Sequence, residues 1–178
     1  MPDQRTRDWI YFAFLVVHIP ATLLVDIQAL FFAERLSPTW LRQLFVFAAK
    51  EDPLLTNATS PLFAWFQSFI LLEIVFQLPV FFIGARGLYN HDPSIYPLLA
   101  LYGASSSTTT FACIATVLHT PGLTQVQLAK LLVSYVPFML VPLAMAVDFG
   151  ARLTRVMKAV GGGGGGGEGK RGGKAKRM

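Results

Sequence analysis

Two carboxylates stand inside apolar runs long enough to cross a membrane: Asp26 in the stretch 9–33 and Glu73 in the stretch 62–84. An acid at bilayer depth costs roughly 2.5–3.5 kcal/mol even on the lenient insertion scales, so it persists where it faces a protected cavity, a proton path or a partner. Every Lys and Arg falls at or beyond the end of an apolar run, which leaves neither acid a basic partner within a span. At least one of them is expected to hold a proton, or else a cationic ligand or water completes the site. Gln77 follows Glu73 by one turn on the same face, and Phe66 and Phe69 carry that face outward. His18 lies eight residues before Asp26, on a broadly common side of one helix. A lone helical histidine is more often a satisfied structural donor than a catalyst. The hydroxyl run 105–110 either bonds back to its own helix or lines a cavity, with Thr109 and Thr110 the nearer contacts. Tyr135 and Phe138 read equally as core or as pocket wall, and Asp148, at a span end, reads as an interface residue near water.

The elements that must position these residues follow from composition. The chain has 178 residues, 53% apolar and 14% charged. A soluble domain carries about 25% charged residues, so this composition excludes an ordinary soluble domain. Four runs, 9–33, 62–84, 95–118 and 130–150, meet the ~20 residues needed to cross a core about 30 Å thick. The fold class expected is an all-α membrane protein: a four-transmembrane-helix bundle with bent helices and a short amphipathic loop helix. The bends come from Pro20, Pro79, Pro137 and Pro142. The loop helix rests on Ser37-Pro38 as cap and first position, and on Leu41, Leu44, Phe45 and Ala48 at i, i+3, i+4, i+7. The domain division is a polar lead 1–8, a membrane domain 9–150 and a disordered, glycine-rich basic tail 151–178. The first apolar run exceeds a signal-peptide core and is expected to stay.

Eleven Lys and Arg fall on one side of the expected topology and four on the other, which puts both termini in the cytoplasm. The basic tail lacks interleaved aromatics, so no nucleic-acid partner is expected. No metal-ligand spacing or phosphate-binding loop occurs, and no cofactor is expected. Cys113 is the only cysteine and has no partner for an internal disulfide. Asn57-Ala58-Thr59 is a glycosylation sequon by letter, but it lies so close to the second span that it is expected to be unused.

His18-Ile19-Pro20, Asp26-Ile27-Gln28, Asp52-Pro53-Leu54-Leu55, Trp65-Phe66, Glu73, Phe76-Gln77-Leu78-Pro79 and the segment from Pro137 to Pro142 together resemble the EXPERA family. The match runs from about residue 9 to 150 and is most specific in the first span, the Asp-Pro-Leu-Leu loop and the second span. The resemblance is to receptor-like members in the endoplasmic reticulum, and the family also contains the emopamil-binding sterol isomerase. It implies a dimerising four-helix bundle whose pocket lies within the bilayer. By that resemblance Asp26 pairs with the amine of a cationic amphiphile. Asp52 folds in from the loop, holds a proton and hydrogen-bonds Asp26, and Glu73 and Gln77 complete the network. His18, Leu55, Phe66, Phe69, Tyr102 and Thr109 line the pocket.

A family tyrosine in the fourth span aligns with Phe138, which removes one polar contact. The tail keeps the spacing of a dilysine-type retrieval signal at Lys174 and Lys176. Implied partners are a sterol or an amine-containing lipophilic ligand, the bilayer, a second copy of the chain and a sterol-trafficking membrane protein. The nuclear envelope is a second location to consider. An isomerase would want a histidine one turn before Glu73, where Phe69 stands, and an acid in the third span, which has none. The expectation is therefore binding without catalysis, with two alternatives: an isomerase-like enzyme, or a chaperone or adaptor whose acids are structural.

Overall fold

The computed structural model describes residues 3–32, 39, 40, 43, 46 and 49–162, and no strand occurs among the described residues. Four helical stretches are long and apolar enough to cross a membrane: Gln4–Leu30, Pro61–Tyr89, Pro93–Leu118 and Gln125–Gly161. The first begins as α1 (Gln4–Ala21). A four-residue helix α2 (Pro53–Thr56) lies in the first connection, capped by Asp52 with Pro53 at its first position. The second stretch holds α3 (Ala64–Leu72) and α4 (Leu78–Tyr89). The third is α5 (Tyr96–Leu118) and the fourth α6 (Gln125–Gly162). Leu41, Leu44, Phe45 and Ala48, which define the expected loop helix, lie outside the described residues; Thr39, Trp40, Gln43, Val46 and Ala49 are helical.

The proline disturbances in the first two spans take the form of wide π-type turns. Pro20 cannot donate to Val16, and the chain continues through Thr22–Asp26 and Gln28–Phe32. Pro79 cannot donate to Val75, and the turn Glu73–Gln77 precedes it. Such turns insert a residue and re-aim the side chains they carry. Pro137 and Pro142, in contrast, lie inside one continuous helix.

α6 is longer than expected at both ends. At its start, the Thr124 amide donates to Gln127 Oε1 at 3.0 Å and the Gln127 amide donates to Thr124 Oγ1 at 3.3 Å, a reciprocal capping box. At its far end it runs past residue 150 to Gly162, so 151–162, expected to be disordered tail, is helical. Arg152 explains the extension. Its side chain is only 4% exposed, bonded through Nη1 to Asp8 and through Nη2 to Asp148, each at 2.6 Å. Its guanidinium also lies 4.7 Å from the Phe149 ring centre. Asp148, expected at a wet interface, is buried and further held by Arg7 at 3.0 Å.

Helix pairing is closest between α5 and α6, where Gly103 permits the approach. A Cβ there would meet the Pro142 carbonyl oxygen and come within 2.7 Å of the Ala146 nitrogen, both backbone atoms that cannot swing aside. Two apolar clusters result. One, around Leu15, Phe81, Tyr102 and Phe149, fills the end where the chain starts; the other, around Leu54, Phe66, Ile70 and Val117, fills the opposite end. Val17, Val75, Val133 and Val147 face outward, as lipid contact requires.

Candidate functional site

A cavity of about 330 Å³ receives side chains from all four spans and from the loop that carries α2. The first span contributes His18, Ala21, Val25 and Asp26; the second contributes Phe66, Phe69, Ile70, Glu73 and Gln77. The π-type turns coincide with these positions, so the backbone irregularities sit where the polar groups are presented. α5 adds Ser106, Thr109, Thr110 and Cys113, and α6 adds Leu131, Ser134, Tyr135 and Phe138. Asp52 and Leu55 close the set from the loop.

The three acids have different surroundings. Asp52 is 6% exposed, and its carboxyl accepts the Leu54 amide at 2.8 Å, the Leu55 amide at 3.4 Å and the Tyr135 hydroxyl at 2.7 Å. Burial pushes this carboxyl above the usual carboxylate range, against the downward pull of those donors. Glu73 accepts the Thr22 hydroxyl, and His18 Nε2 stands 3.8 Å from it. The imidazole is stacked on Phe81 with ring centres 4.6 Å apart, and its Nδ1 lies 3.4 Å from the Tyr102 hydroxyl. Asp26 is half-buried and borders the cavity, near enough to Glu73 and Asp52 for the three charges to repel. Among the described residues no basic side chain pairs with Asp26.

Nine of the ten expected site residues border this cavity. Tyr102 does not: it is wholly buried in the first apolar cluster, with its hydroxyl 3.4 Å from His18 Nδ1. One finer expectation is also corrected: no hydrogen bond joins Asp52 to Asp26 among the described residues, and the Asp52 oxygens instead accept from the loop amides and Tyr135. His18 approaches Glu73 on the neighbouring span.

The hydroxyl run combines both of its readings. Thr109 and Thr110 donate to the Ser106 carbonyl at 3.0 and 2.8 Å while also bordering the cavity. Their donors are thus satisfied, and they offer a ligand acceptor lone pairs. Tyr135, which by sequence reads equally as core or wall, borders the cavity and donates to Asp52, 83 residues away, a partnership of which spacing along one helix gives no sign. Thr22 is the buried hydroxyl that sequence reasoning missed. Its one signal was its place one turn before Asp26.

No group of three or more His, Cys, Asp or Glu suited to a metal ion occurs among the described residues. The arrangement can hold an apolar body between aromatic walls, fix one polar or cationic end at the acids, and pass a proton among His18, Glu73 and Thr22.

Comparison with known proteins adds three kinds of similarity. The family model described as EBP, EXPERA (EXPanded EBP superfamily), matches residues 38–149. A Xenopus tropicalis protein named Sigma intracellular receptor 2 is 33% identical over 149 residues, covering 78% of this chain and 84% of that one. The Homo sapiens protein of the same name is 42% identical over 80 residues, 44% of this chain and 43% of that one. A Schizosaccharomyces pombe protein named Efficient mitochondria targeting-associated protein 19 is 28% identical over 159 residues, 87% of this chain and 81% of that one.

Proposed function

The chain belongs to the EXPERA family, and from that membership we propose that it is a receptor-like protein of the endoplasmic-reticulum membrane whose intramembrane cavity binds sterols, oxysterols or cationic amphiphiles. One observation carries the reading: Asp26 presents a carboxyl to a cavity walled by aromatic and aliphatic side chains as well as polar ones, with no cation beside it among the described residues. A ligand amine supplies the missing charge, and a sterol hydroxyl supplies a hydrogen bond. The volume, about 330 Å³, lies at the small end of the ~300–1,000 Å³ typical of ligand pockets. That size favours one compact, rigid ligand. The relatives named as receptors support binding over catalysis. Modulation of sterol homeostasis or trafficking through a membrane partner, cytoplasmic termini and a dimer belong to the same proposal.

Binding of a radiolabelled cationic amphiphile to the purified protein and to Asp26→Asn tests it. Truncating one partner of a buried charge pair costs about 2–5 kcal/mol, so Kd should rise roughly 30-fold or more with the fold intact. Equal binding to both proteins would remove Asp26 as counter-ion.

A second reading, sterol double-bond isomerisation, is favoured by one contact. An imidazole is absent one turn before Glu73, yet His18 reaches Glu73 from the neighbouring span at 3.8 Å. Isomerisation needs an acid to protonate one alkene carbon and a base to take a proton from another. Conversion of a sterol by the wild type but not by Glu73→Gln would establish it.

A further inference from the structure

At the end of the bundle where α1 begins, an open groove of about 520 Å³ runs between α1 and the last turns of α6. Its floor is an apolar stripe of Leu140, Leu143, Ala144 and Val147, exposed and spaced i, i+3, i+4, i+7 along α6. The stripe continues through Ala151 to Arg155, and Arg7 stands across from it on α1. From Leu140 to Arg155 the helix rises about 22 Å. One leaflet, half of a bilayer about 40–45 Å thick with its headgroups, has the same depth. The groove therefore changes from apolar to cationic at the level where an acyl chain gives way to a headgroup.

The charges at its mouth favour an anion. Arg7 and Arg152 share Asp148, and Arg152 also holds Asp8. Arg155 donates only through Nε, to the Ala151 carbonyl at 3.3 Å, and takes neither aspartate among the described residues. The Arg7 Nε is buried with no acceptor among the described residues. Three arginines thus face two carboxylates. A second copy of the chain related by a two-fold axis normal to the membrane would bring Arg155 toward its own counterpart, which disfavours that occupant.

We propose that this groove is a binding site for an anionic glycerophospholipid, one acyl chain lying along the stripe 140–147 and the headgroup held between Arg7 and Arg155. The site is separate from the cavity. On the expected topology it opens to the cytoplasmic leaflet, where anionic lipids are concentrated.

Native mass spectrometry of the full-length protein, delipidated in detergent and titrated with phosphatidylserine or phosphatidylcholine, tests the proposal. The first phosphatidylserine should bind several-fold more tightly than phosphatidylcholine. Arg155→Gln should remove about five-fold of that preference, the amount expected for one basic residue near an anionic surface. Ala144→Trp should fill the groove and weaken both lipids, and Asp26→Asn should change neither. Equal binding of the two lipids by the wild type would overturn the site, as would full binding by Ala144→Trp. So would a preference that survives Arg155→Gln but disappears when Lys170, Arg171, Lys174, Lys176 and Arg177 are all changed to Gln, because the tail would then hold the lipid.

Discussion

Asp8 and Asp148 meet arginines where the first helix lies beside the last, whereas Asp52 and Glu73 meet hydroxyls, amides and one histidine, and Asp26 borders the same cavity with no basic partner among the described residues. Both regions remove carboxylates from water, but only the first balances them. A buried ion pair is favourable only when geometry and further hydrogen bonds offset the loss of hydration. The Arg152 fork comes close to that condition, with two 2.6 Å bonds, the Phe149 ring beneath it and only its Nε lacking an acceptor among the described residues. The cavity acids forgo it. The difference teaches that carboxylates join helices where cations meet them at one end, and stand without a balancing basic side chain among the described residues at the other.

Breaking the balanced end should give the largest effect. Arg152→Leu leaves Asp8 and Asp148 without their principal cation and should cost about 3–5 kcal/mol, read as a fall in the thermal midpoint of the detergent-purified protein. Changing Asp8, Asp148 and Arg152 together to apolar residues should recover much of that loss; no recovery would mean that the guanidinium's packing on Tyr96 and Phe149 matters more than its charge. The unbalanced end should respond in the opposite sense. Asp26→Asn relieves repulsion from Glu73 and Asp52 and should leave the midpoint at or above that of the wild type, while ligand affinity falls. Destabilisation by Asp26→Asn as large as that of Arg152→Leu would erase the distinction and return Asp26 to a structural role.

The same contrast separates what the chain's letters reveal from what they hide. Asp26 and Glu73 were visible because an acid inside an apolar run is costly wherever it points, and the spans were visible because length and hydropathy suffice. Gln77, Thr109, Thr110, Tyr135 and Phe138 were singled out from the residues themselves, whereas the role of Asp52 and the places of Leu55, Phe66 and Phe69 in the wall came from the family resemblance. The hidden part consists of partnerships between distant helices. Asp148 looked like a water-facing span end because nothing local shows that Arg7 and Asp8 will fold back onto it. Tyr102 and Tyr135 carry the same hydroxyl in similar apolar runs, yet one is sealed behind His18 and the other caps Asp52. That choice depends on how each helix is rotated against its neighbours, which spacing along one helix does not give.

Asp52 offers a smaller, pH-dependent probe. Tyr135→Phe removes the only side-chain donor to its carboxyl among the described residues and should cost about 1–2 kcal/mol. Because burial raises the Asp52 pKa in the native state, the stability this acid contributes is complete at low pH, where the unfolded chain is also protonated. It is lost as the pH climbs through the raised native value. Asp52→Asn keeps one oxygen to cap α2, turns an amide NH2 toward the Tyr135 hydroxyl oxygen and carries no charge. The wild type should therefore lose stability relative to Asp52→Asn as the pH rises from about 4, the ordinary carboxylate value, through the raised native one. A constant difference across that range would mean that the acid does not change protonation there.

The smallest effect belongs to the ion pair beside it. Lys130 Nζ meets Glu51 Oε2 at 3.1 Å, joining the residue before Asp52 to the turn of α6 that precedes Tyr135. In distance this contact rivals Arg7 with Asp148, but its side chains are 61% and 38% exposed. Exposed pairs are worth roughly 0–1 kcal/mol and weaken with salt. Lys130→Met should therefore shift the midpoint little, and raising the salt should abolish what shift there is. The Arg152→Leu deficit should persist under the same salt because its pair is shielded from ions. If Lys130→Met instead destabilised strongly and independently of salt, the pair would be a true clasp on the loop, and the contrast would have to be redrawn around which contacts water can reach.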